Sequence, residues 1–401
     1  MNRKIIRRLK ESVVFILITA NLTACSSIPV DTTAETTAIE TTAVATEETT
    51  SSETDAEKPS QVPLSYTFNQ HVLSDVWKQQ EGFEENFYLF CDAVYNAEET
   101  VTLNTEAGKK PDEYINRTTI EKLYYASEVS CPIAYRFLDY DKTKDINEKS
   151  DGKTFKLVYK VSRDELLTKI SEFKKRVEEL ITSSCSEGDT ELEKTLELYI
   201  KQSKRMNYAY YRYEYLEEHH TLTDKDDLKE FDSSIRAYAY NSIMGNSGIC
   251  DDISTSLAFL YLQAGIDATT DTGIAHSFKE NESYPHRWNL VKIDGQYYQC
   301  DATWQSSSNK KLDFFGMNDE RRSNNSRTGW YVTDNIGKID WGENISFCDW
   351  DIKLEKKPKI TDNRFEDLWN ADSYELDTEN DLLHLTFKRY NGNTYKDISL
   401  K

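Results

Sequence analysis

The feature of this sequence that most constrains the fold is a pair of β-rich runs separated by Asp294 and Gly295. The runs read PHRWNLVKI and QYYQCDATW, and an Asp-Gly pair between two such runs is typical of a two-residue type I′ hairpin turn. This turn sets the pairing of the strands, with Ile293 opposite Gln296. The sequence therefore predicts an antiparallel hairpin in this region.

The hairpin register predicts which side chains share one face of the sheet. It places Trp288 opposite Asp301 and His286 opposite Thr303. His286 and Asp301 are then diagonal neighbours with backbones roughly 7–8 Å apart, a separation that long side chains can bridge. An acid in that position can hold an imidazole ring in one tautomer and orientation.

A second pattern predicts a buried helix that begins at or just after Cys250, and Gly265 supplies its stop. Its apolar residues recur at steps of four and three: Ile253, Leu257, Leu260 and Ala264. The amides and dipole at a helix start stabilise a thiolate. Asp251 and Asp252 crowd the same turn and would raise the pKa of a nearby thiol, so a histidine would have to activate it.

Cys250, His286 and Asp301 together form the arrangement that acyl transfer needs. A histidine takes the thiol proton and later returns it to the leaving group, while the acid holds the ring. The alternative is that three such residue types fall close together in the sequence by chance.

Two segments carry a resemblance to a known family. YNSIMGNSGIC resembles the stretch before the nucleophile of bacterial transglutaminase-like proteins, Y-x-x-L-x-x-G-x-x-V-C. HRWNLVKIDGQYYQCDATW is similar to their H-A-W-N-x-V-x-x-x-G-x-W/Y-Y-x-x-D-x-T-W. The resemblance covers about residues 235–325, includes the later stretch from Phe314 to Arg321, and implies triad roles for Cys250, His286 and Asp301. Supporting motif positions are filled by Trp288, Asn289, Gly295, Thr303 and Trp304.

The resemblance implies an α+β fold with a papain-like or transglutaminase-like core, in which the helix with the cysteine packs on an antiparallel sheet with the histidine and the acid. The sequence departs from the family pattern at three charged positions. Asp251 and Asp252 replace small residues or Gln and Gly, and Arg287 replaces the usual alanine. These departures bear on rate and substrate more than on the chemistry.

An oxyanion-hole donor is less well defined than the triad. The backbone amide of Cys250 is one donor, and Tyr240, Asn241 and Trp288 are further candidates. No metal site is expected, because neither a Cys/His ligand spacing nor an EF-hand loop is present. We therefore expect no cofactor, and the calcium requirement of animal transglutaminases is not transferred.

The N-terminus has the pattern of a bacterial lipoprotein signal over residues 1–24. Basic residues precede an apolar run at Val13–Ala20 that is shorter than the ~20 residues of a membrane-spanning helix. The run is followed by Leu-Thr-Ala-Cys, which resembles a lipobox and implies lipidation of Cys25. The alternative is a chance cysteine near an ordinary cleavage site. We expect a protein anchored to the bacterial cell membrane on its extracytoplasmic face.

The chain divides by composition into further regions. Residues 25–62 are rich in Thr and Glu and contain no aromatic residue, which is typical of a disordered linker. The remaining predicted regions are an N-terminal α+β region (63–190), the transglutaminase-like catalytic domain (191–335) and a C-terminal β-rich extension (336–401). Within them we expect a β-rich run at Thr154–Val161, a helix capped by Ser162, and a second helical region from Glu191 to about Glu218.

Charge and cysteine usage limit the partners. A formal net charge of −21 argues against nucleic acid as a partner. The seven cysteines leave five after Cys25 and Cys250, so one disulfide is possible without the sequence indicating which, and buried free thiols are expected. We expect a protein or peptide substrate, with cell-wall peptide as one candidate, and hydrolysis is favoured over cross-linking. The alternatives are a surface binding protein that keeps the fold without turnover and a purely structural anchor.

Overall fold

A computed structural model describes residues 62–79, 81–104, 117–147, 153–212, 239–277, 283–306, 311–324, 330–334 and 358–401. The predicted signal with Cys25, the linker up to residue 61 and the predicted end of the second helical region at Glu218 lie outside these residues. Residues 59–401 belong to one compact unit. Within the described ranges, no helix combines the length and the apolar character needed to cross a membrane.

The fold mixes helices and antiparallel strands. The described helices are α1 (Asp75–Lys78), α2 (Phe83–Tyr95), α3 (Arg117–Ser130), α4 (Pro132–Phe137), α5 (Tyr140–Ile146), α6 (Arg163–Thr182), α7 (Glu191–Arg205), α8 (Ala239–Met244), α9 (Cys250–Gln263), α10 (Ala302–Gln305), α11 (Asp319–Ser323) and α12 (Glu366–Asn370). The described strands are β1 (Thr100–Thr102), β2 (Thr154–Lys156), β3 (Asn207–Tyr208), β4 (Ser247–Gly248), β5 (Ala268–Ser277), β6 (Ser283–Ile293), β7 (Gln296–Cys300), β8 (Trp330–Asp334), β9 (Ser373–Asp377), β10 (Leu382–Arg389) and β11 (Gly392–Ser399).

Helix α6 follows its sequence pattern closely. The Ser162 side chain accepts a hydrogen bond from the Glu165 N–H (3.3 Å) and caps the helix as predicted. One stripe of the helix is buried in the core: Leu166, Ile170, Phe173, Val177 and Ile181. The β-rich run before it is only partly a strand. β2 ends at Lys156 because its partner β1 has three residues, and beyond it Tyr159 makes an isolated bridge to Leu138.

The second predicted helical region is interrupted after Arg205. Helix α7 ends at Arg205, since Met206 is extended and the next two residues form β3, which pairs in parallel with β4. Tyr208 and Tyr211 therefore do not lie on one helix face. Tyr208 lies in β3 and packs against the core, whereas Tyr211 is 65% exposed.

The strands β7, β6, β5 and β8 form, in this order, a four-stranded antiparallel sheet. Helix α9 packs on β5 and β6 and is buried along almost its whole length. Its end is fixed by Gly265, whose φ of +80° is a conformation that glycine adopts at little cost. The same core extends through the N-terminal helices to the C-terminal strands, across the predicted boundary at residues 190 and 191.

The hairpin register is confirmed as far as Cys300. Ile293 pairs with Gln296 and Asn289 with Cys300, and both turn residues have the positive φ of a type I′ turn. The predicted pairs beyond this point are wrong, because β7 ends at Cys300 and Asp301 is the N-cap of helix α10.

The predicted C-terminal β element is a three-stranded antiparallel sheet in the order β11-β10-β9. Leu383 and Leu385 attach it to the common core. The turn between β10 and β11 consists of Tyr390 and Asn391, since Arg389 pairs with Gly392. A groove of about 540 Å³ separates β9 from α7, and none of the predicted site residues lines it.

Candidate active site

Cys250 is the first residue of α9, as predicted, and its side chain is largely buried, with 8% of the residue exposed. Ile249 precedes it in an extended conformation, and the Ile249 N–H donates to Asp252 Oδ2 at 2.8 Å. The carboxylate of Asp252 therefore satisfies a backbone donor at the entry to the helix. Within the helix, the Ser254 hydroxyl donates to the Cys250 carbonyl at 2.7 Å.

Asp252 itself is held by a buried ion pair. Arg212 Nη1 donates to Asp252 Oδ2 at 2.6 Å, and the two side chains are 3% and 0% exposed. Gly248 makes room for this carboxylate, because a Cβ at that position would lie 2.6 Å from the Asp252 Cβ. The charge of Asp252 is thus balanced inside the protein, which the sequence did not indicate.

The environment of the Cys250 sulfur favours the protonated thiol over the thiolate. Burial is the main cause that raises its pKa well above the usual value, and the charges of Asp251 and Asp301 add to the effect. The backbone N–H groups of Arg287 and Asp251 act in the opposite direction. Of the two aspartates that follow Cys250, it is therefore Asp251 whose charge opposes the thiolate.

His286 and Asp301 form a direct buried pair. His286 Nε2 lies 2.5 Å from Asp301 Oδ2, and the side chains are 3% and 2% exposed. Asp301 is oriented by its own role as a helix cap, since its Oδ1 accepts from the Trp304 N–H at 3.0 Å. The Trp304 ring stacks on the imidazole with centroids 4.4 Å apart and an interplanar angle of 9°. With Nε2 engaged, Nδ1 is the ring nitrogen left to exchange a proton.

The stretch from Phe314 to Arg321 lies behind Asp301. The Asp301 N–H donates to the Phe314 carbonyl at 2.9 Å, and the Phe314 ring meets Trp304 edge-on with centroids 5.4 Å apart. The Gly316 N–H donates to Cys300 Sγ at 3.3 Å. Gly316 has a φ of +63°, and its backbone lies close to the Phe365 ring. This stretch therefore fixes the end of β7 and the acid that follows it.

Arg287 points its guanidinium to the N-terminal region. Its two terminal nitrogens donate to the two oxygens of Glu128 on α3, at 2.9 and 2.7 Å. Its Nε donates to the Thr270 hydroxyl at 3.0 Å. A longer contact of 3.8 Å joins Nη1 to Asp251 Oδ1. Residues that the sequence assigned to different regions thus meet beside Cys250.

Two supporting motif residues have structural partners. The Trp288 indole N–H donates to Gln299 Oε1 at 2.7 Å, so this group is already engaged and is not a free oxyanion donor. Asn289 Nδ2 donates to the Ser254 carbonyl at 2.7 Å and joins β6 to the first turns of α9. Asn289 thereby fixes the strand that carries the histidine relative to the helix that carries the cysteine.

Tyr240 is not supported as an oxyanion donor. Its ring packs in the core against Phe137 and Phe173, with centroids 4.9 and 5.4 Å away. Phe173 in turn contacts Phe259, which lies nine residues after Cys250 and therefore roughly 14 Å along the helix. Asn241 lies next to Tyr240 on α8, where its carbonyl accepts from the Gly245 N–H, and no described contact joins it to Cys250.

The sequence did not reveal Arg212 and Glu128 as parts of this site. Their partners Asp252 and Arg287 stand out in the sequence as charged residues where the family pattern has uncharged ones. Charges of this kind require partners when they are buried. Nothing in the spacing identifies those partners, because they lie 40 and 159 residues away along the chain. Within the described residues, no group of three or more His, Cys, Asp or Glu side chains could hold a metal ion.

Comparisons with known proteins add little to this geometry. No protein-family model matches the chain, and no curated protein matches it. Among solved structures, a protein from Cytophaga hutchinsonii that was proposed to be a cysteine protease matches at 18% identity over 27% of this chain and 30% of its own, with a TM-score of 0.19. A transglutaminase matches at 14% identity over 42% of this chain and 38% of its own, with a TM-score of 0.25. The chain thus spans well under half the length of either structure.

Proposed function

We propose that this protein is a transglutaminase-like cysteine enzyme that acts on amide bonds through Cys250, His286 and Asp301. The observation that carries the proposal is the buried 2.5 Å contact between His286 Nε2 and Asp301 Oδ2, next to the helix that begins with Cys250. A cysteine at a helix start, with a histidine whose ring is fixed by an acid, is the arrangement of nucleophile, base and orienting acid. The packing of α9 on an antiparallel sheet supports the papain-like core that the sequence resemblance implies.

In the proposed reaction, His286 takes the proton from the Cys250 sulfur as the sulfur attacks the carbonyl carbon of an amide. The proton then passes to the departing amine, and a thioester on Cys250 remains. The raised pKa of the free thiol favours removal of its proton during the attack over a thiolate stored beforehand. The Cys250 backbone N–H is the proposed oxyanion donor, since Trp288 and Tyr240 are engaged elsewhere.

The acceptor of the thioester decides between two activities. Water would complete a peptidase or amidase reaction, and a lysine amine would complete a cross-link. We favour hydrolysis, and we propose that the enzyme acts on a protein or peptide, with cell-wall peptide as a candidate, at the extracytoplasmic face of a bacterial membrane, anchored by a lipid on Cys25. The sequence pattern of residues 1–25 supports this location.

The test uses the full chain as wild type, Cys250→Ala and Asp301→Asn, each incubated with a pool of extracellular peptides and a lysine-mimicking amine. Products are followed by mass spectrometry. Cleaved peptides from the wild type alone would support a peptidase, and amine-tagged glutamine would support a transglutaminase. Asp301→Asn should retain the fold and lower the rate by about 10³–10⁴-fold, because the imidazole would lose its orienting acid.

A binding protein without turnover is the second candidate, and the raised pKa of the Cys250 thiol favours it. A thiol-reactive probe separates the two. Alkylation of Cys250 that slows when His286 is replaced by Ala would support the enzyme. Alkylation that is unaffected by this substitution, with no product formed from the pool, would support the binding protein.

A further inference from the structure

Asp251 differs from the other charged groups around Cys250 because its side chain is the most exposed of them. Its side chain is 41% exposed, whereas those of Arg287 and Glu128 are 6% and 18% exposed. Arg287 is engaged by both oxygens of Glu128 and by the Thr270 hydroxyl, and its approach to Asp251, 3.8 Å, is longer than a hydrogen bond. The positive charge of Arg287 is therefore balanced mainly by Glu128.

The result is an excess negative charge directly beside the proposed nucleophile. Two carboxylates act on the sulfur, those of Asp251 and Asp301, and a third, that of Glu128, engages the guanidinium of Arg287. Arg212 donates from both terminal nitrogens to the two oxygens of Asp252, on the buried side of the helix turn. An exposed charge at a reaction site attracts or repels charged groups of a molecule that approaches the site.

We propose that Asp251 selects a substrate that carries a cationic group, such as a lysine, an arginine or another basic amino group, next to the amide bond that Cys250 attacks. This inference rests on the proposed function and names the substrate class of the same site. The cation would lie against the exposed carboxylate of Asp251, one residue from the sulfur. Arg287 donates to Glu128 with both terminal nitrogens and lies 3.8 Å from the Asp251 carboxylate, farther away than a substrate cation in direct contact would lie.

The same contact would couple binding to activation of the thiol. In the free protein the charge of Asp251 opposes formation of the thiolate. A substrate cation beside Asp251 offsets that charge, so the sulfur loses its proton to His286 more easily once the correct substrate is bound. A neutral or anionic substrate leaves the opposing charge in place and reacts more slowly.

The experiment compares three methanethiosulfonate reagents on the full chain, one with a trimethylammonium group, one with a neutral methyl group and one with a sulfonate group. Each reagent transfers its thioalkyl group to the Cys250 thiolate, forms a disulfide and releases methanesulfinate. Labelling of the Cys250 peptide is timed by mass spectrometry, and Cys250→Ala confirms the assignment. Rates are divided by those of a small free thiol in solution, which removes intrinsic differences between reagents.

We expect the wild type to prefer the cationic over the anionic reagent by about tenfold more than the small free thiol does. Asp251→Asn should remove most of this preference. Glu128→Gln should also reduce it, because the freed guanidinium of Arg287 can then turn to Asp251. The matched control is Asp294→Asn, which removes one charge at the hairpin turn, roughly 26 Å from His286 along β6, and should leave the preference unchanged.

Any of three results would overturn the inference. A cation preference that survives in Asp251→Asn would assign the selection to the overall acidity of the chain and not to this residue. A wild type that shows no preference, while Cys250 reacts readily, would remove the selection and leave the proposed nucleophile intact. If no reagent labels Cys250 in the folded chain but all label it after unfolding, the proposed function and this inference both fail.

Discussion

The first turn of α9 has an inner side, formed by Arg212 and Asp252, and an outer side, formed by Asp251, Arg287 and Glu128. On the inner side Asp252 is fully buried and paired with Arg212 at 2.6 Å. On the outer side Asp251 is 41% exposed and lies 3.8 Å from Arg287. The two aspartates are neighbours in the sequence and have the same chemistry. Their different surroundings give them different physical roles.

The inner side stabilises the fold. Asp252 accepts hydrogen bonds from both the Ile249 N–H and Arg212, so its charge is compensated and it fixes the start of the helix. The outer side acts through electrostatics, because the charge of Asp251 acts on the Cys250 sulfur while its side chain stays partly exposed. Burial therefore decides whether an aspartate at a helix start stabilises the fold or acts through its charge on the groups of the site.

The largest expected effect is on the inner side. Arg212→Met leaves the buried carboxylate of Asp252 without its counter-charge, and we expect a loss of about 3–5 kcal/mol in the free energy of unfolding. Urea denaturation followed by tryptophan fluorescence measures it. The double variant Arg212→Met with Asp252→Asn should recover a large part of the loss. A single variant as stable as the wild type would show that the ion pair does not hold the turn.

A smaller effect is expected from Glu128→Gln on the outer side. The variant replaces a bidentate ion pair that is partly exposed by a neutral contact, so we expect a loss of about 1–2 kcal/mol in the free energy of unfolding. The same denaturation experiment applies. A loss as large as that of Arg212→Met would remove the distinction between the two sides.

Asp251→Asn should alter reactivity more than stability. The wild-type charge of Asp251 raises the pKa of the Cys250 thiol, so its removal lowers that pKa and increases the thiolate fraction below it. We expect alkylation of Cys250 by neutral iodoacetamide at a pH of about 8 to accelerate about threefold to tenfold. The pH profile of the alkylation rate should move to lower pH. A profile that moves upward or stays in place would contradict the role assigned to Asp251.

The smallest effect is expected away from both sides, at the hairpin turn. Asp294 has a φ of +49°, which asparagine also adopts readily, and its carboxylate pairs with Arg364 at the surface. Asp294→Asn should change the free energy of unfolding by less than about 0.5–1 kcal/mol and leave the alkylation profile of Cys250 unchanged. A clear shift of that profile would mean that the site responds to total charge.

Part of this architecture follows from local chemistry that the sequence displays. The Asp-Gly turn fixed the hairpin register, which holds from Ile293 with Gln296 to Asn289 with Cys300. The apolar steps after Cys250 and the stop at Gly265 defined α9. Both patterns work because turn type and helical period depend on residues that are close together along the chain.

The tertiary structure alone decided how the site is completed. Asp301 reaches His286 as the cap of a short helix and not as a strand residue, because the backbone leaves the sheet after Cys300 and its N–H bonds to Phe314. Arg212 and Glu128 came from segments without any motif. A single sequence shows that a buried charge needs a partner, but the partner is chosen by packing between segments that are distant along the chain.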